Sequence, residues 1–523
     1  MRHLSKVFFL SLMAAGLFAC SNEEDLVVDN NSLNAEKVYM QFKLEVPSSY
    51  SRSTTDETGT PSNADPDFEV GTDSENKISD IQLVLVDNSN NIIAKSLQNK
   101  SLVGAGKDMY IASFNSAELV AQAQVGSTTP IKVIAYCNTT TTLANKLTLE
   151  EVCNTPESTW TANKFWMTNA NDKDLNCTLP SQADLAKHNS ADNPYVIGTI
   201  EVERVAARFD IAKSPENIEF PMQVDGKEEM KIVLTDVAMF NIKKDVNYLR
   251  RVSDDGTNPT GIEGMFGKET PTNYVVDAAG DLSATTAEEL EWKSIASITQ
   301  ADNWTGNNGE PEYYPWRYGV ENAFAASEKQ VENKATGIAF KGKLVPGTAC
   351  PADLKATLEA GDKAIYVFND VLYGDWTRVK NAANEGFVNG TDGDKFKANP
   401  VLKAAYEAAQ NLINIDGKTE IEAAKVAGFK VFEPTEDNGI KVYNVYYNYY
   451  NKHNDNGNPK LSGPMEHAVV RNNVYKLKVS SISKYGSPEW EKPDEEVIEK
   501  DEIFFKVTVK ILPWTVRVNN IEF

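Results

Sequence analysis

Two stretches at opposite ends of the chain alternate apolar and polar residues with the period of a half-buried strand. At the C-terminal end Ile503, Phe505, Val507, Val509 and Ile511 share one face, while Lys506, Thr508 and Lys510 take the other. After Pro513 the parity changes, and Trp514, Val516 and Val518 carry the apolar face. Proline has no amide hydrogen to give a ladder, so the pattern predicts two strand segments joined by a break at Pro513. A terminus this apolar must dock, on its own subunit or on a neighbour. Near the other end Val38, Met40, Phe42, Leu44 and Val46 alternate with Tyr39, Gln41, Lys43 and Glu45. Arg52 follows in a turn-prone Ser/Thr-rich run and is the only arginine between Arg2 and Arg204. One cut after it by a trypsin-like protease would detach the first strand. Left uncut, the two terminal strands could pair within one monomer.

Between the ends the pattern is mainly β. Strands are predicted at 78–86, from Ile92 after an Asp/Asn turn at 87–91, at 110–114 and at 131–137. A long strand is expected from Tyr195 to Ile211, in which Arg204 and Arg208, four residues apart, pair with surface carboxylates. Further strands are expected at 230–243, 336–345, 363–368, 441–449 and 469–482. Short helices are predicted at 116–124 and 146–152. A long one at 400–413 has Val401, Ala404, Ala405, Ala408 and Leu412 on its apolar stripe and a proline in its first turn. Residues 53–76 read as a leader with little apolar content. Two β-rich units with a helical insertion follow, and the strand spacing suggests sandwiches of antiparallel sheets.

The first nineteen residues change that picture, because a basic opening (Arg2, Lys6) and an apolar core end at Leu17-Phe18-Ala19-Cys20. The apolar run is too short to span a membrane. Its cleavage site resembles the bacterial lipoprotein signal, in which the Cys20 thiol is acylated and becomes the new N-terminus. The acidic run behind it resembles a surface-export tag. A chain of 523 residues can bury large cores without staples, and its formal charge of −23 argues against nucleic acid and anionic membrane surfaces as partners. Cys137, Cys153, Cys177 and Cys350 form no C-x-x-C pair, and Cys137 reads as a small core residue.

Candidate chemistry is sparse. His188, His453 and His467 fall in no catalytic or zinc motif, and His188 and His453 lie in polar stretches. Gly104-Ala-Gly-Lys107 lacks the spacing and hydroxyl of a phosphate loop. Asp392-Gly-Asp394 and Asn454-Asp-Asn-Gly-Asn458 have the oxygen density of calcium loops without the distal glutamate, and read as turns. The tyrosines 443, 446, 447, 449 and 450 could stack sugar rings, though alternating tyrosines more often pack across strands. No catalytic, metal or cofactor site is expected.

Lys506-Val-Thr-Val-Lys-Ile-Leu-Pro-Trp-Thr-Val516, with Ala468-Val-Val-Arg-Asn-Asn-Val-Tyr475 and the alternating Leu477, Val479 and Ser481 behind it, resembles the type V fimbrillins of the Bacteroidales, in particular shaft subunits of the minor-fimbrium kind. Lys37 to Leu44, Arg52, Lys77 to Val86, Val133 to Asn138, Val202 to Arg208 and Thr235 to Leu249 extend the likeness, whereas 344–439 does not align. The resemblance implies two transthyretin-like antiparallel β-sandwich domains and a lipidated precursor at the outer membrane that matures into a surface fimbrium. It also implies an arginine-specific, trypsin-like protease that removes the strand Val38 to Val46. The emptied groove would then take the donor strand Ile503 to Val518 of another copy, giving a head-to-tail homopolymer that meets anchor and tip subunits. The implied layout is a signal peptide at 1–19, a propeptide at 20–52, a leader at 53–76, domains at 77–197 and 198–502 with an insertion near 346–439, and the donor at 503–523. Competing readings are an anchor or tip subunit of the same fimbrium, or a monomeric glycan-binding surface lipoprotein.

Overall fold

The computed structural model describes residues 40–45, 69–89, 91–98, 101–106, 109–114, 123–139, 156–157, 164–170, 176–188, 192–224, 226–257, 274–276, 278, 280–299, 313–385, 399–458, 460–498 and 505–515. Its principal strands are, first, β1 (Met40–Glu45), β2 (Glu69–Val70), β3 (Ile81–Val86), β4 (Ile92–Gln98), β5 (Ser101–Gly106), β6 (Met109–Phe114), β7 (Thr129–Cys137), β8 (Pro156–Glu157), β9 (Met167–Asn169), β10 (Asn176–Leu179) and β11 (Tyr195–Arg204). There follow β12 (Ala207–Ala212), β13 (Glu219–Val224), β14 (Lys227–Phe240), β15 (Tyr313–Gly319), β16 (Gly337–Pro346), β17 (Asn444–Tyr450), β18 (Asn473–Ile482) and β19 (Phe505–Thr515). Residues 116–122 of the helix expected at 116–124 lie outside the described residues, as do the helix expected at 146–152, Cys20, Val38, Val46 and Arg52; residues 123 and 124 are not helical.

The N-terminal unit is one path of strands in the order β4-β3-β7-β9-β11-β1-β6-β5, with β10 on β7. Met40 and Leu44 of β1 share a core with Ile81, Leu83 and Leu85 of β3, Val133 and Ala135 of β7, and Ile200 and Val202 of β11, so the path closes around one apolar interior. β3 is apolar at almost every position because both its faces are covered. Val84 and Val86 meet Tyr136, Trp166, Tyr248 and Leu249, supplied in part by a later segment that returns to this unit, where Val246 and Asn247 pair with β8.

The C-terminal unit is a two-layer sandwich of the sheets β2-β19-β18-β12-β15 and β13-β14-β16-β17. Phe209, Tyr475, Leu477 and Val479 from the first layer meet Ile232, Val237, Phe340 and Val445 from the second. Three pairings are parallel, β1 with β11, β12 with β18, and β2 with β19, so neither unit is purely antiparallel. The long strand expected from Tyr195 to Ile211 is two strands. β11 stays wholly in the N-terminal unit and the crossing falls at Val205–Ala206, so a domain boundary at 197/198 would cut a strand.

An insertion occupies 352–432, with helices α4 (Ala352–Ala360), α5 (Trp376–Glu385), α6 (Pro400–Asp416) and α7 (Glu420–Val426); three shorter helices precede them, α1 (Asp73–Asn76), α2 (Gln182–Leu185) and α3 (Pro215–Ile218). The Asn399 side chain accepts from the Val401 amide at the start of α6, and Gly417, at φ 66°, ends it in the left-handed region. The buried face of α6 is Leu402, Tyr406 and Ala409, while Val401, Ala404 and Ala408 face solvent. The expected stripe is therefore out of phase, because the Tyr406 ring has far more area to bury than an alanine and packs against Trp376 at 5.5 Å between centroids.

Where the two units meet, Arg204 and Arg208 are fully buried, which overturns their expected surface pairing. Both converge on α1, which a capping box between Thr72 and Glu75 starts. Arg204 donates through Nε to the Glu75 carbonyl at 3.0 Å, and through its terminal nitrogens to Asn472 Oδ1 at 3.3 Å and to Asn76 Oδ1. Arg208 grips Asp210 with two bonds of 2.8 Å and stands 3.3 Å from Glu75 Oε2, while the Tyr318 hydroxyl donates to Glu75 Oε1 at 2.6 Å. A third buried guanidinium, Arg471, donates to Glu321 at 2.8 and 2.6 Å and to the carbonyls of Tyr248 and Asn247, tying the returning segment to the root of β18. Burial alone would raise the Glu75 pKa, but Arg208, Tyr318, the Thr72 amide and Arg204 together hold it below the ordinary value of 4.5.

A folded-state pKa below the unfolded one contributes stability that is complete above the ordinary value and is lost as the pH falls through the folded one. Glu75→Gln should therefore cost about 3–5 kcal/mol near neutrality, since it strands two buried cations against one carboxylate. The gap between mutant and wild-type unfolding free energies, measured in urea, should narrow progressively below pH 4.5. A gap independent of pH would show that the Glu75 charge does not hold the seam.

Candidate functional site

β1 is an inner strand. Along one side it runs parallel to β11, from Met40 opposite Tyr195 to Glu45 opposite Glu201; along the other it runs antiparallel to β6, from Met40 opposite Phe114 to Glu45 opposite Met109. Met40 and Leu44, four residues apart and so on one face, are both wholly buried. Phe42 stands opposite Gly198 and Ala112. Among the described strands, the hairpin of β5 and β6 joins the rest of the sheet only through β1. Withdrawing β1 would open two backbone ladders facing each other and a slot in the core, with a cavity cost of about 2–5 kcal/mol for each buried Met or Leu lost.

The C-terminal strand lies on its own subunit. β19 pairs antiparallel with β18 from Phe505 opposite Ile482 to Pro513 opposite Asn473, and its last two residues, Trp514 and Thr515, pair with β2. No break occurs at Pro513. Between Phe505 and Pro513 no described strand flanks the other side of β19, and an edge strand needs ladder donors on one side only, so proline is accommodated within it. Val507, Val509 and Ile511 stand opposite the core residues Val479, Leu477 and Tyr475, whereas Thr508 and Lys510 stand opposite Lys478 and Lys476. Directly opposed residues share a face, which sets Val507 on the side of the core residue Val479. Val507 is half-buried against the sandwich core. Ile503, Val516 and Val518 lie outside the described residues.

The remaining candidates resolve into packing. Among the described residues no group of three or more His, Cys, Asp and Glu side chains is placed to hold a metal. Gly104 and Gly106 belong to β5, not to a phosphate loop. In the stretch 454–458 the Gly457 amide donates to Asp455 Oδ1 and the Asn458 amide to Asn456 Oδ1, turn bonds that use these oxygens locally. Asp392 and Asp394 lie outside the described residues. Tyr443 and Tyr447 donate from buried rings to the carbonyls of Lys363 and Lys484, and Tyr450 packs edge-on against Phe240. His453, expected in a polar loop, is buried, with Nδ1 2.9 Å from the Tyr475 hydroxyl; the polar residues around it in sequence fold away as the turn. His188 is half-buried beside Tyr195. Cys137 is a buried free thiol in β7, its pKa pushed up by desolvation. The Glu75 cluster was not anticipated as a unit, although Thr72-Asp-Ser-Glu75 is visible as a capping box.

A comparison with curated protein sequences returns no match. Among solved structures, a fimbrilin of Porphyromonas gingivalis is 13% identical and aligns over 92% of this chain and 99% of its own, with a TM-score of 0.33. The tip fimbrial protein Mfa3 of the same organism, truncated at its C-terminus, is 10% identical over 91% of this chain and 99% of its own, with a TM-score of 0.32. At such TM-scores these likenesses carry no argument. The informative match is to a family model described as the major fimbrial subunit protein type IV, fimbrillin, C-terminal, over residues 441–520. That stretch builds β17, β18 and β19, and over it the chain is similar to the fimbrillins.

Proposed function

We propose that the chain is the shaft-type subunit of a surface fimbrium supporting adhesion, exported as a lipoprotein acylated at Cys20 and activated by an arginine-specific protease that cuts after Arg52. It polymerises when the C-terminal strand, residues 503–523, of one copy fills the seat of β1 in the next. The observation that carries this reading is the position of β1. A six-residue strand whose only chain continuation toward the body passes Arg52 lies inside a sheet, flanked on both sides and plugging the core. Its removal creates what a strand-adding partner needs, unpaired ladders and alternate side-chain slots.

Donor and acceptor lie at different places on each copy, so the contact is heterologous and extends as a filament. Eight apolar residues of the donor, at roughly 1.5–3 kcal/mol each, would give on the order of 12–24 kcal/mol before ordering and association costs. With β1 in place the precursor is self-capped and stays monomeric until processed. Anchor and tip subunits of the same fimbrium are the expected partners at its two ends.

The pairing of β19 with β18 favours a second reading, in which the C-terminal strand is a permanent strand of its own sandwich and the groove takes something else. Two experiments separate them. Arg52→Ala should yield a folded, lipid-anchored monomer that joins no fibre; fibres of that variant in wild-type amount would show that the cut is not the trigger. Thr508→Cys paired with Lys478→Cys joins opposed positions on the outward face of β18 and β19. The oxidised protein, cut at Arg52, should not form detergent-resistant ladders, and reduction should restore them. Ladders formed with the crosslink intact would mean that another segment fills the groove.

A further inference from the structure

Strand registers fix which end of the molecule each element reaches. β12 leaves the seam at Ala207 and β18 runs parallel to it, so Ile482, with Phe505 opposite, lies at the far end of the C-terminal unit. β14 and β16 point Met230 and Pro346 to that end, and β17 sets out from it at Asn444, opposite Lys343. The insertion, which lies between β16 and β17 in the chain, therefore caps this end, and its Leu354, Leu358, Ile365 and Phe432 close the sandwich core. In the N-terminal unit β11 reaches the seam at Arg204, so Tyr195, with Met40 opposite, lies at the other extreme.

Nine large apolar residues are exposed among the described residues. Five of them, Val371, Val401, Ile415, Val426 and Ile440, belong to the insertion and the hairpin that closes it. Two more, Val125 and Val196, lie at the free end of the N-terminal unit, where β7 and β11 begin. Only Leu461 and Val497 fall elsewhere, on loops outside both ends. Single exposed apolar residues need no explanation, but their segregation to two opposite poles does.

Both poles also adjoin the parts that strand exchange would use. Lys430 of the insertion donates to the Tyr485 carbonyl at 2.6 Å and Asp370 lies 3.7 Å from Lys484, so the insertion grips the chain just after β18, where the connection to the C-terminal strand begins. At the other pole Val196 stands opposite Gln41, at the open end of the β1 seat. The geometry points to a second contact at every joint, in which the insertion of one copy seats against the free end of the N-terminal unit of the next. This rests on the head-to-tail polymer proposed above. The occupant is a second copy of this chain because the two apolar poles are the surfaces that head-to-tail stacking brings together.

The test follows growth of Arg52-cleaved protein into detergent-resistant ladders, with thermal unfolding of each uncut monomer as the folding control. Three proteins are compared with wild type: Ile415→Glu with Val426→Glu, Val196→Glu, and Val497→Glu as an exposed position outside both poles. These side chains are between 49% and 79% exposed, so the monomers should unfold at wild-type temperatures. The two pole variants should each grow about tenfold more slowly, equivalent to ~1.4 kcal/mol, and Val497→Glu at the wild-type rate. Combined in one chain, the two pole changes should cost less than their sum, since they act on one contact. Wild-type growth by both pole variants would overturn the second contact while leaving strand exchange intact, and would turn the insertion toward some other partner. A wild-type protein that forms no ladder after cleavage would overturn strand exchange itself, and this contact with it.

Discussion

The Glu75 carboxylate, held between Arg208, Tyr318 and the Thr72 amide, is the interaction on which the arrangement of the two units depends. Burying four charged side chains, Glu75, Arg204, Arg208 and Asp210, is costly unless nearly every donor and acceptor is met, and a half-met network is worse than an apolar one. Here it is met by residues from four parts of the chain: α1, the end of β11, the start of β12 and β15. The cluster can form only when all four are in place. It therefore selects one relative placement of the two sandwiches, where an apolar seam would tolerate sliding. The same four-residue helix fixes β2, a few residues before it, and through β2 the tip of β19.

Much of the architecture was legible in the sequence because period-2 alternation is a local signal. The strands at both ends, the apolar runs that became β3 and β7, and the helix beginning at Pro400 were all visible in it. What was not legible depended on distant partners. An arginine reads as a surface residue until its ligands are known, and those of Arg204 lie 129 and 268 residues away. Pro513 reads as a break until its strand is known to be an edge. The face of α6 was misphased because alanines count as apolar in a stripe, although they have little surface to bury beside Tyr406. His453 reads as a loop residue because its polar neighbours in sequence fold away from it, toward solvent. For the residues of the proposed strand exchange, alternation and the lone arginine are visible in the sequence, while the inner position of β1, with a neighbour on each side, is visible only in the topology.

The stretch 441–520, which matches the fimbrillin C-terminal model, is not a separable piece. It contributes β17 to one layer of the sandwich and β18 and β19 to the other, so its two layers meet across the core made by β12, β14 and β16. Arg471, between β17 and β18, carries the module into the seam by its bonds to Glu321 and to the carbonyls of residues 247 and 248. Changes within the module can thus reach the N-terminal unit through this guanidinium, through Asn472 on Arg204, and through Val474, which packs into the N-terminal core.

The placement of β1 between β11 and β6 bears on mechanical load. Its hydrogen bonds lie across the strand direction, on both sides. A strand occupying that seat and pulled along its own axis is loaded in shear, so both ladders must fail together; a strand peeled from an edge loses its bonds one after another. β11 runs from the free end of the N-terminal unit to the seam, so tension applied end to end acts along this seat. In the proposed fibre each joint would resist pulling in its strongest direction, while the self-docked β19, an edge strand on β18, remains open to peeling. The same chain would then hold its C-terminal strand weakly before assembly, by one ladder open to peeling, and a neighbour's strongly after it, by two ladders loaded together.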